Sequence, residues 1–259
     1  MPNELITASS RELATELTAY DEKMLSVFEY LGLPTNNILV KVDERRKVFK
    51  NIEDVLEPLS SETLETSTYI SKFLSAVSAG LFDAALNYLW DETVSQLRFR
   101  VSQYDIQYFF DLAVTSDKRT KLSTEDDLVK IDDSELIQGA KEIGLISDIG
   151  YRLLDNIKFM RNWASAAHPN QVELTGLQLI DWLETCIKEV ISLPLSNLTI
   201  QIGKLLRNIK TNTLDEAEAE TISNFFCELT SEKANSLCNG FFGIYCRIDT
   251  TSDTKRNIK

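Results

Sequence analysis

Histidine appears once in this chain of 259 residues, at position 168, and glycine and proline are sparse at nine and five. So few turn-forming residues leave no punctuation for the many short strands of a sandwich or barrel, and a mostly helical fold remains. The four cysteines, Cys186, Cys227, Cys238 and Cys246, contain no C-x-x-C pair, and with one imidazole they make a poor zinc set. Reduced, partly buried thiols of a cytoplasmic protein are the expectation. No apolar run approaches the length that spans a bilayer, and Met1-Pro-Asn-Glu-Leu5 places no basic region ahead of an apolar one. Neither a membrane span nor a signal peptide is therefore expected. Glycine-rich phosphate loops, nucleophile elbows, paired-histidine metal motifs and fixed-period repeats are all missing, so no cofactor and no metal are expected.

Positive charge is also in short supply. Lys and Arg number 27 against 40 Asp and Glu, a net charge of −13. A broad nucleic-acid groove normally needs the opposite balance, to displace counterions along a phosphate backbone. Three local basic clusters stand out: Lys41, Arg45, Arg46, Lys47 and Lys50; Arg98 and Arg100; and Lys118, Arg119 and Lys121. Each reads as a solvated face or loop with acids interspersed.

What is present is helical patterning in ordinary globular proportions, 43% hydrophobic and 26% charged. Ser9-Ser10-Arg11-Glu12 forms a capping box ahead of Leu13, Leu17, Met24, Val27, Phe28 and Leu31 at helical spacing, until Gly32 and Pro34. A charged helix is expected from Val40 to Leu56. From Ser61 to Val114 the text is helical almost throughout, with Gly80 as a break, and the segment after Leu81 is apolar nearly all round, as suits a central helix. Ile70, Val77, Leu81 and Tyr88 share a face that continues to Asp91, Glu92 and Ser95. Thr115 to Asp133 reads as a polar connection, and Asp132 or Asp133 caps a helix from Ser134 to Ile143. Thr175-Gly-Leu-Gln178 is another capping box, heading a stripe of Leu177, Ile180, Leu183, Ile187 and Val190. Three helices follow Pro194: Leu198–Ile209, Leu214–Thr230 and Ser231 to Cys246, then a polar tail expected to fray. Its abrupt end leaves room for a longer parent protein.

The one histidine closes a helix whose apolar residues Ile149, Leu153, Ile157, Met160, Ala164 and Ala167 form a stripe. Arg161 and His168 lie at the border of that stripe, beside Leu154. A seven-residue step turns a helix by about 700°, so the two emerge almost in line, although Pro169 biases His168 away from helical dihedrals. At a partly dry border a guanidinium and an imidazole act strongly on a bound anion. The pair suits cleavage of a phosphodiester that brings its own nucleophile. In RNA the 2′-hydroxyl adjoins the scissile phosphate, and a group titrating near neutrality moves the protons without a metal. Asn162 is placed to orient the phosphate or the histidine. Asp91 or Glu92, from a neighbouring helix, either supports Arg161 and His168 or meets water where its own stripe surfaces. A lone histidine at a helix end is also, in many proteins, a cap or surface residue.

The run Arg161-Asn162-Trp-Ala-Ser-Ala-Ala-His168, closed by Pro169 and preceded by a long amphipathic helix, resembles the R-x(4–6)-H signature of the HEPN superfamily. The resemblance covers about Ile70 to Pro194. It implies an all-α, up-and-down helical bundle at 61–195, here with an N-terminal helical extension at 1–60 and a C-terminal helical segment at 196–259. It also implies a metal-independent endoribonuclease of the toxin, antitoxin-controlled or anti-phage type. Its site would form where two copies face each other in a homodimer, with RNA as substrate and a protein antitoxin or sensor as a further partner. By that resemblance His168 is the acid/base, Arg161 the transition-state stabiliser and Asn162 the orienting residue. The alternative is an inactive module of the same fold that binds protein or RNA without turnover, which the acidic surface suits better.

Overall fold

A computed structural model describes residues 10–164, 173–193, 198–212, 214–227, 229, 231–248 and 250–258. Among these residues every regular element is helical and none is a strand, so the fold is all-α. The helices are α1 (Ser10–Tyr30), α2 (Val42–Leu56), α3 (Ser61–Thr66), α4 (Thr68–Ser78), α5 (Phe82–Ser102), α6 (Ile106–Ala113), α7 (Ser116–Arg119), α8 (Asp133–Glu142), α9 (Asp148–Ala164), α10 (Gly176–Cys186), α11 (Leu198–Thr211), α12 (Glu216–Cys227), α13 (Ser231–Cys246) and α14 (Ser252–Ile258). A 3-10 turn occupies Glu125–Lys130, and a π turn, Ile187–Ile191, extends α10. No helix among the described residues is long and apolar enough to cross a membrane. The chain divides into two compact units, Met1–Ser95 with Leu153–Ser192 and Gln96–Arg152 with Leu193–Lys259, so the division falls inside α5 and α9.

In the first unit α2 lies against α10. Val48, Ile52 and Val55 recur at helical spacing on α2 and are buried, as are Leu179, Leu183 and Cys186 on α10. The capping box at Thr175 starts α10 as its spacing predicts: the Thr175 hydroxyl accepts from the Gln178 amide, and Gln178 Oε1 accepts from the Thr175 amide at 2.9 Å. A second acceptor arrives from α2, where Glu44 Oε2 takes the Gly176 amide at 2.9 Å. The two helices approach so closely that a Cβ on Gly176 would sit 2.1 Å from the Glu44 carbonyl oxygen. On the expected stripe of α10, Ile180, Leu183, Ile187 and Val190 are buried, but Leu177 is exposed.

Lys41 and Lys50 are exposed, as a solvated face requires, but Arg45 departs from it. Arg45 is fully buried. Its guanidinium donates to both oxygens of Asp21 on α1, at 2.8 and 2.6 Å, to the Val40 carbonyl at 2.8 Å and to the Ser78 carbonyl at 3.1 Å. A buried charge needs that density of acceptors. Gly80, at φ +72°, makes room for it, since a Cβ there would lie 2.7 Å from the guanidinium carbon. The neighbours of Arg45 pair nearer the surface with acids of their own helix, Arg46 with Asp43 at 3.0 Å and Lys47 with Glu44 at 2.6 Å.

The second unit packs α6 on α8. Tyr104, Tyr108, Phe109 and Phe110 are all buried there, together with Leu136 and Ile137. Arg100 also departs from the expected solvated position. It is buried, donates to Gln96 Oε1 and to the Leu193 carbonyl, each at 2.9 Å, and burial pushes its pKa below the usual arginine value. The polar stretch expected as a bare connection at Thr115 to Asp133 contains α7 and the 3-10 turn. Asp127 organises the latter by accepting from the Ser123 and Thr124 amides at 2.7 and 2.9 Å. Lys118 pairs with Glu135, Arg119 with Asp111 and Lys130 with Asp127, so three of the four basic residues in this stretch are held by acids of the same unit. The tail expected to fray forms α14. Asn257 anchors it by donating to the Ile209 carbonyl at 2.9 Å and the Asn212 carbonyl at 2.6 Å.

Candidate functional site

α9 begins at an ordinary cap: the Ser147 hydroxyl accepts from the Gly150 amide at 2.9 Å. Its inward face differs from the expected one. Leu154 and Ile157 are buried at 0% and 1% exposure, whereas Ile149 and Leu153, placed on the core stripe by their apolar character, are 73% and 42% exposed. Apolar residues flank both sides of the helix, and the neighbouring packing selects the side that carries Leu154. Arg161 follows Leu154 by seven residues, so it emerges on the inward side two turns later and is half-buried there. The arginine is thus on the packed face rather than at a border defined by Ile149 and Leu153.

The guanidinium turns toward the next residue. Arg161 Nη1 donates to the Asn162 side-chain oxygen at 3.0 Å, and Asn162 is exposed. The hydrogen bond therefore carries a cation from the packed side of the helix to its open side, and aligns an amide with it. Within the same two turns Lys158 pairs with Asp155 at 2.8 Å, and Phe159 and Trp163 form an aromatic pair with ring centroids 5.6 Å apart. Phe159 is 52% exposed. The i, i+4 spacing of those two rings was available in the sequence; their exposure was not. The description of α9 ends at Ala164, and His168 lies outside the described residues.

Of the two acids considered as supports, Glu92 is buried and Asp91 half-buried. Glu92 Oε2 accepts the Ser67 hydroxyl at 2.8 Å. Ser67 is also the N-cap of α4, accepting from the Ile70 amide at 3.4 Å, so Glu92 ties the start of α4 to α5. Its stripe does not surface at Glu92. Among the described residues no group of histidine, cysteine or carboxylate side chains is arranged to hold a metal ion.

No protein-family model, curated protein or solved structure matches the chain.

Proposed function

We propose that the protein is a metal-independent endoribonuclease of the HEPN kind. The observation that supports this most directly is the Arg161–Asn162 contact at 3.0 Å, seven residues ahead of the chain's one histidine. A guanidinium held against an amide is a preassembled grip for two non-bridging phosphate oxygens, and it offsets the charge that builds on them as the bond to the leaving oxygen stretches. His168 takes the proton of the 2′-hydroxyl, whose oxygen attacks the adjacent phosphorus. The P–O5′ bond breaks, and the departing oxygen collects a proton. The products are a 2′,3′-cyclic phosphate and a 5′-hydroxyl end. Base and acid are both needed, and one chain has one imidazole, so a two-fold dimer that brings two motifs together supplies the pair. An antitoxin, sensor or anti-phage setting belongs to the same proposal.

The net charge of −13 favours one rival, a module of the same architecture that holds RNA or protein without turnover. Incubating total RNA in EDTA with the wild type, His168→Ala and Arg161→Ala proteins separates the two. Cleavage by the wild type alone, with cyclic phosphate at the new 3′ ends, is expected. Indistinguishable products from all three proteins would remove the enzyme.

A further inference from the structure

Phe159 and Trp163 are the observation on α9 that the reaction above does not use. Phe159 is left 52% exposed on a helix that buries Leu154 and Ile157, and its described ring contact is with Trp163, at 5.6 Å and an interplanar angle of 45°. Large exposed apolar groups beside polar ones commonly mark binding surfaces. The polar group here is Asn162: residues 159 and 162 are i, i+3 neighbours on the helix surface, and Asn162 in turn receives the Arg161 guanidinium at 3.0 Å. Ring, amide and cation therefore follow one another across a single turn.

We infer that Phe159 and Trp163 form a stacking platform for an unpaired nucleobase of an RNA strand whose adjacent phosphate is held by Arg161 and Asn162. This rests on the endoribonuclease reading and adds to it a preference for single-stranded substrate. Local charge suits that occupant. Asp148–Ala164 carries three basic residues, Arg152, Lys158 and Arg161, against two acids, in a chain of net charge −13. A duplex cannot use the platform, because its bases are already stacked and paired. Every base presents a π-face, so the platform selects unpaired over paired strands and favours purines, which overlap two rings better than pyrimidines do.

The test uses the whole 259-residue chain with His168→Ala, so that probe RNA survives, and reads binding apart from cleavage. Trp90 and Trp182 are buried at 1% and 6% exposure, which makes the half-buried Trp163 the indole that responds to added RNA. Short single-stranded oligoadenylate is expected to quench tryptophan emission, oligouridylate to do so less, and the same oligoadenylate paired with its complement hardly at all. Phe159→Ala should weaken binding of oligoadenylate roughly tenfold. Trp163→Phe should abolish the fluorescence change while keeping most of the affinity, with circular dichroism checking that both variants fold. Absence of quenching, or equal affinity of Phe159→Ala for the single strand, overturns the platform. So does a Phe159→Ala variant whose sedimentation changes while its RNA affinity does not, since the face would then join two copies of the chain. Binding with the expected base preference, but no cleavage by the protein with His168 restored, would leave the platform standing and defeat the enzyme.

Discussion

Replacing Arg45 with methionine would test how the first unit is held together. The substitution keeps an unbranched side chain of similar reach and removes the charge. It deletes a paired contact to Asp21, at 2.6 and 2.8 Å, and two hydrogen bonds to the carbonyls of Val40 and Ser78. Removing one partner of a buried ion pair costs about 3–5 kcal/mol. The Asp21 side chain retains 17% exposure and recovers some hydration, which favours the lower part of that range, while two carbonyls losing charged donors push the other way at roughly 1–3 kcal/mol each. A loss of about 4 kcal/mol is the expectation, a large share of the ~5–15 kcal/mol that stabilises a typical domain. Thermal unfolding followed by far-ultraviolet circular dichroism should show a midpoint lower by on the order of 10 °C.

A double-mutant cycle with Asp21→Asn separates the pair from the carbonyl bonds. The two single variants and the double should reveal a coupling of roughly 2 kcal/mol or more, because once either partner is gone the other is a liability. Added salt should change the wild-type midpoint little through this contact, since Arg45 is fully buried. An Arg45→Met protein within 1 kcal/mol of the wild type, at about the precision of such measurements, would refute the assignment of Arg45 as the tie between α1, α2 and the end of α4.

Three other outcomes are expected. Gly176→Ala should destabilise by about 1–3 kcal/mol or more in urea unfolding, since its Cβ would meet the Glu44 carbonyl oxygen at 2.1 Å and separate α2 from α10; an unchanged midpoint would contradict that close approach. Cys186 is buried and its thiol is pushed up to about 12 by burial, whereas Cys227, Cys238 and Cys246 are exposed. Its thiolate is therefore almost absent at pH 8, and a thiol-reactive reagent should label three cysteines quickly and the fourth only after denaturation; four equal rates would count against it. If RNA is gripped locally, affinity for single strands should fall with salt at a logarithmic slope of about −1 to −2, the value for two or three phosphates, and a slope near −5 would point to an extended basic surface.

Where sequence patterns decided local structure, they were readable. Of the two caps expected for α8 it is Asp132 that starts the helix, the capping box at Thr175 starts α10, and Ser231 to Cys246 bounds α13 as its pattern suggests. The all-round apolar text after Leu81 becomes α5 with Leu86, Leu89, Trp90 and Leu97 buried. Charged residues were misread wherever their partners lie far along the chain. Arg45 is buried because Asp21 and the Ser78 carbonyl converge on it, and Arg100 because the Leu193 carbonyl does. Neither partnership leaves a trace in a local charge count. The orientation of α9 was lost for a related reason: Leu153 and Leu154 are chemically equivalent neighbours about 100° apart, and only the surrounding helices decide which one is buried.

That orientation matters for the candidate site more than the identity of its residues does. With Ile149 and Leu153 inward, Arg161 would project along the edge of the helix and reach solvent unaided. With Leu154 and Ile157 inward, it starts among packed side chains, and its head becomes accessible through the hydrogen bond to Asn162. An arginine rooted in packed structure loses less freedom when it meets a phosphate than one on an open surface, because its stem is already ordered. In a chain carrying −13 overall, an anion is repelled at long range and must be held by short-range contacts. A preordered guanidinium is the form of positive charge that such a protein can use. Asn162→Ala would remove the acceptor that aims the guanidinium outward while leaving the cation itself in place, so its effect on phosphate binding isolates alignment from charge.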